Sequence, residues 1–71
     1  MEKIIADIIA EYGKASEKFP PFNSTHEGYA VILEELDELW DCVKGNHTKE
    51  RSREEAVQVA AMAIRFIKNL L

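Results

Sequence analysis

Cysteine, proline and glycine are all scarce in this chain: one, two and three among 71 residues. With Cys42 as the only cysteine, no disulfide can form within the chain, and a lone thiol reads as a reducing compartment. A cytoplasmic protein is therefore expected. No apolar run approaches the roughly 20 residues needed to cross a bilayer, so no membrane partner is expected. The start, Met1-Glu2-Lys3-Ile4-Ile5-Ala6-Asp7, lacks the basic segment and unbroken apolar stretch of a secretory leader. Basic residues are in the minority, nine against thirteen acidic ones, giving a net charge of −4. A nucleic-acid polymer is excluded as the expected partner, because such binders usually present a basic stripe. Repeats, low-complexity tracts and long linkers are also missing, so residues 1–71 read as a single domain. So short a chain has a marginal core, and with disulfides excluded the remaining stabilisers are metal and a partner subunit.

What is present is helical periodicity. Ile4, Ile5, Ile8, Ile9 and Tyr12 follow the spacing of one helical face, predicting a first helix over about Glu2–Lys18. Pro20-Pro21 ends it, and Gly13 is a candidate weak point. Ser24 stands three residues before Glu27, the spacing of a capping box, and opens a second helix that runs to about Lys44 with Gly45 as its stop. Its expected core face is Tyr29, Ile32, Leu33, Leu36, Leu39, Trp40 and Val43. Ser52 and Glu55 repeat the capping spacing and predict the start of a third helix. Ala56, Val57, Val59, Ala60, Ala63, Ile64, Phe66, Ile67 and Leu70 cover more than half of its circumference, the pattern of a helix buried on several sides. The expected fold is all-α: a three-helix chain with an antiparallel hairpin of the second and third helices, completed as a helical bundle on oligomerisation.

The second helix also carries an uneven charge. Five of the eight residues from Glu34 to Asp41 are carboxylates. At 100° per residue, Glu34, Glu35 and Glu38 fall within an arc of about 100°, roughly opposite the expected core face. Most acidic runs on helices are solvated faces. Here Val31 and Cys42 share the stripe of Glu35 and Glu38, which points to a semi-buried one. In an antiparallel hairpin, Glu38 and Gln58 each lie roughly 9 Å from the turn, with Glu55 about one helical turn away. Glu35, Glu38, Glu55 and Gln58 can therefore converge, and clustered oxygen donors suit Mg²⁺ or Mn²⁺. A capping role alone would also explain Glu55.

Glu34-Glu35-x-x-Glu38, sixteen intervening residues and Glu55-x-x-Gln58 together resemble the EExxE…ExxD signature of the MazG-like, all-α nucleoside triphosphate pyrophosphohydrolases. The likeness is strongest over residues 24–70, and the string Phe22-Asn23-Ser24-Thr25-His26-Glu27-Gly28-Tyr29 is similar to short phage and prokaryotic members. The resemblance implies a Mg²⁺-dependent reaction, with Mn²⁺ as a substitute. An NTP or dNTP is attacked by water near its α-phosphorus, and a nucleoside monophosphate and pyrophosphate leave. By position, Glu35, Glu38, Glu55 and Gln58 would hold metal, and Glu34 would hold a further ion or orient the water. The partners implied are a nucleoside triphosphate and copies of the chain itself, as a homodimer or higher homo-oligomer. Gln58 departs from the family's aspartate and brings no charge. The alternative is thus a non-catalytic MazG-like oligomerisation or regulatory module that retains metal or nucleotide binding. His26, His47 and Cys42 form no ligand or nucleophile pattern, Trp40 reads as core, and Lys14, Lys18, Arg51 and Arg53 read as solubilising charges.

Overall fold

The computed structural model describes residues 1–71 as three α-helices without strands: α1 Glu2–Lys18, α2 Thr25–Lys44 and α3 Lys49–Leu70. The all-α class is as the periodicity predicts, and no helix is long and apolar enough to cross a membrane. α1 stops where the prolines require, with Phe19 extended at φ −125°, ψ 145°, and it runs through Gly13 unbroken. Ser24 caps α2 as expected, its hydroxyl accepting from the Glu27 N–H at 3.1 Å. The Glu27 carboxylate reaches back one residue further than a standard capping box, accepting from the Asn23 N–H at 2.8 Å.

α3 begins earlier than the Ser52-x-x-Glu55 spacing suggests. Its N-cap is Thr48, whose hydroxyl accepts from the Arg51 N–H at 3.2 Å. Ser52 is already helical, its N–H bonded to the Thr48 carbonyl. Threonine is an effective cap by itself, and Thr48 escapes notice because Arg51 cannot return the second bond of a capping box. Asn46, in the left-handed region at φ 55°, turns the chain in the short connection that remains. Glu55 is thereby relieved of any capping role.

α3 is the central element, packing on α1 and on α2, whose backbones do not approach each other. The contact with α1 runs in step along both helices. Arg53 donates to Asp7 at 2.8 Å, Gln58 donates to Glu11 at 2.8 Å, and Ala15 shares a buried cluster with Ala61 and Met62. Beyond α1, Arg65 donates to the Pro20 carbonyl at 2.8 Å. The Asp7 carboxyl is held below its usual range by hydrogen bonds from Lys3 and then Arg53. Ile8, Tyr12, Val31 and Ile32 close around the Ala15–Ala61–Met62 cluster. At the other end of α3, Phe66 and Leu70 lie so close to Gly28 that a Cβ there would sit 2.6 Å from the Phe66 ring.

Two expected faces are rotated in the structure. On α2, Tyr29, Leu33, Leu36, Trp40 and Val43 are exposed, Tyr29 by 63% and Trp40 by 56%. The side turned to α3 carries Gly28, Val31, Glu35 and Cys42 instead. On α3 the most buried residues are Ala61, Met62 and Arg65, not the wider apolar arc around them. The reason is geometric: α1 and α2 each pack on α3 and not on each other, so the outer side of α2 has no third element to cover it.

Candidate functional site

The carboxylates that the sequence singled out come from two helices. Glu35 and Glu38 stand one turn apart on α2, and Glu55 stands on the first half of α3. One carboxylate oxygen from each of the three lies within 4.8 Å of the other two. Glu35 and Glu55 are half-buried and Glu38 is exposed, so the cluster opens to solvent on one side. The Val31–Glu35–Glu38–Cys42 stripe is accordingly semi-buried, with Cys42 fully inside.

Three carboxylates at this spacing oppose one another's ionisation. Burial, followed by the neighbouring carboxyls of Glu38, Glu55 and Glu34, pushes the Glu35 carboxyl up to about 7. Burial also raises Glu55, reinforced by Glu38 and partly offset by the positive charge of Arg51. A hard divalent cation among these oxygens would relieve both effects, and an all-carboxylate donor set fits Mg²⁺ or Mn²⁺ better than a softer ion. The chemistry of the residues present therefore suits the ion that the signature implies.

Glu34 is exposed on α2 beside the cluster and contributes to the rise of Glu35. Gln58 lies one turn beyond Glu55, half-buried, with its amide nitrogen donating to Glu11 of α1. Glu11 is thus a carboxylate that the sequence reading passed over. Its signal was faint: one acidic residue beside Tyr12 on an ordinary amphipathic helix. Arg65 was also passed over, although a cation between Ile64 and Phe66 in an apolar stretch of α3 was its mark. It is only 3% exposed and stacks 4.5 Å above the Phe22 ring.

Because α1 and α2 flank α3 without meeting, a groove remains between them with α3 as its floor. A cavity of about 290 Å³ occupies it, bordered by Glu35 at one end and Arg65 at the other. Gln58 and Met62 form its floor, and Lys14 and Lys18 of α1 stand along its wall. The carboxylate cluster therefore adjoins a recess of ligand dimensions rather than a flat surface. No protein-family model, curated protein or solved structure matches this chain.

Proposed function

We propose that this protein is a Mg²⁺-dependent nucleoside triphosphate pyrophosphohydrolase of the MazG-like type, converting an NTP or dNTP to the monophosphate and pyrophosphate. The observation that carries this reading is the convergence of Glu35, Glu38 and Glu55 from two helices within 4.8 Å, beside a cavity. Glu35, Glu38 and Glu55 hold the metal, with the Gln58 carbonyl as a neutral fourth donor, and Mn²⁺ can replace Mg²⁺. When bound, the ion supplies charge neutralisation on the phosphates and acidifies water. Glu34, exposed beside Glu35, orients the attacking water or takes a second ion. The work left to the chain is to position the phosphate chain and to exclude bulk water from the groove side.

Two finer features of the fold belong to the same proposal. The second and third helices form an antiparallel hairpin, a reading supported by Gly28 meeting Phe66 and Leu70 while Glu38 meets Glu55 nearer the turn. The exposed stripe of Tyr29, Leu33, Leu36, Trp40 and Val43 supports a homodimer or higher homo-oligomer, in which a second copy covers α2 and completes a bundle. A cytoplasmic location follows from the free Cys42 and the nucleotide substrate.

The test is a panel of NTPs and dNTPs incubated with Mg²⁺ and assayed for pyrophosphate. Turnover with at least one nucleotide, lost in Glu38→Ala, is the expected outcome. No pyrophosphate above the Glu38→Ala control with any nucleotide would refute catalysis. A second reading is favoured by the Gln58–Glu11 hydrogen bond, which engages Gln58 with α1 instead of adding charge to the cluster. It makes the protein a non-catalytic oligomerisation or regulatory module that still binds metal or nucleotide.

A further inference from the structure

The groove between α1 and α2 carries positive charge that no carboxylate pairs with. Arg65 is 3% exposed, yet no carboxylate lies within ion-pair distance of it. Its Nη2 donates to the Pro20 carbonyl, its Nη1 contacts only the Met62 sulfur at 3.8 Å, and its Nε has no partner. The guanidinium also stacks on the Phe22 ring at 4.5 Å, but with no counter-charge its desolvation is only partly offset by that ring, a carbonyl and a thioether. Lys14 and Lys18 border the same cavity, and neither is ion-paired. Lys18 instead rests against the Phe19 ring, 5.5 Å from its centroid. Two carboxylates also line the cavity: Glu11, already engaged by Gln58, and Glu35, at the border with the acidic cluster. Arg65 and Lys18 therefore lie toward the end away from Glu35, with Lys14 one helical turn from Glu11 between them.

We infer that this recess is an anion subsite that seats a phosphate group of a polyphosphate, with Arg65, Lys14 and Lys18 as its recognition groups. The inference rests on the proposed reading for the identity of the ligand, but its physical basis, the unpaired buried guanidinium, is independent of the carboxylates. A cavity of about 290 Å³ holds the equivalent of about ten waters, enough for a diphosphate together with ordered water. Guanidinium and ammonium groups bind phosphate oxygens through short charge-assisted bonds, and the planar fork of Arg65 suits a tetrahedral oxyanion. With Glu35 at its border, the recess would receive the phosphates distal to the bond that is cut. The same seat would hold pyrophosphate after cleavage.

Isothermal titration of pyrophosphate into the full-length protein tests this, first in EDTA and then with Mg²⁺. Binding in EDTA is expected for the native protein and for Glu38→Ala, which removes a carboxylate but no cation. Lys14→Ala/Lys18→Ala, altered only on the exposed surface of α1, should bind roughly tenfold more weakly or worse. Arg65→Lys should also weaken binding, with circular dichroism checking that it remains folded. Pyrophosphate binding that is absent from the native protein in both buffers, or unchanged in the double lysine variant, would overturn the subsite. If binding follows the lysines but no nucleotide is hydrolysed, the subsite stands and the catalytic reading falls.

Discussion

α2 presents two stripes of opposite character. Toward α3 it carries Val31, Glu35, Glu38 and Cys42, while away from α3 it carries Tyr29, Leu33, Leu36, Trp40 and Val43. An ordinary surface helix does the reverse, burying the apolar stripe and solvating the acids. Placing carboxylates inward costs stability, as the raised Glu35 and Glu55 carboxyls show, and a fold tolerates that where the groups serve a ligand. Leaving five large apolar side chains outside is equally uneconomical for an isolated chain, and is resolved if a second copy covers them. On the proposed reading one helix serves a ligand on one side and a second copy on the other, and the two stripes can be tested separately.

The largest expected effect concerns the outer stripe. The native protein should run as a dimer or larger by light scattering, and Leu36→Lys/Trp40→Lys should run as a monomer. Burial of each such side chain is worth about 1.5–3 kcal/mol, so the double change should weaken association by at least about a hundredfold. A native protein that is monomeric at high concentration would break this half of the comparison.

The inner stripe is probed by pH. The Glu35 carboxyl titrates at about 7 in the fold and near 4.5 when unfolded, so between those values the folded state binds more protons. Stability from this group is complete below about pH 4.5 and is lost as pH rises through 7. Melting of the metal-free protein should therefore fall between pH 5 and 8, and Glu35→Gln should flatten that fall. A Glu35→Gln profile identical to the native one would show that the cluster is not strained.

The smallest effects distinguish the packed end of α2 from the open flank of α1. A Cβ at Gly28 would press on Phe66 and Leu70, whereas nothing lies within 4 Å of one at Gly13. Gly13→Ala should raise stability by about 0.5–1 kcal/mol through helix propensity alone. Gly28→Ala should lower it by about 1 kcal/mol, because overpacking outweighs the same gain. Chemical denaturation of both variants checks the pair; equal shifts would mean that the Gly28 contact is not tight.

Much of this was legible in the sequence, and the failures share a cause. The bounds of α1 and α2 follow from Pro20-Pro21 and from Ser24 with Glu27, because proline and capping chemistry act locally. The meeting of Glu55 with Glu35 and Glu38 followed from helical rise and a short connection. Trp40 and its neighbours were expected in the core because a lone chain is assumed to bury its most apolar stripe. That rule fails here because α2 packs on α3 alone, and α1 does not reach its outer side. Arg65 and Glu11 could not be placed, since their importance depends on how α1 lies against α3, which no local pattern encodes. Thr48 was missed because its partner position holds Arg51, so the cap lacks its second half.

Metal-linked melting tests the inward carboxylates most directly. The native protein and Glu35→Gln/Glu38→Gln should be compared in EDTA and in millimolar Mn²⁺. The native protein is expected to gain about 5 °C or more on adding Mn²⁺. The double variant is expected to be at least as stable as the native protein in EDTA, and to gain nothing from the metal. Equal gains in both proteins, or no gain in the native one, would contradict a metal seat formed by Glu35, Glu38 and Glu55.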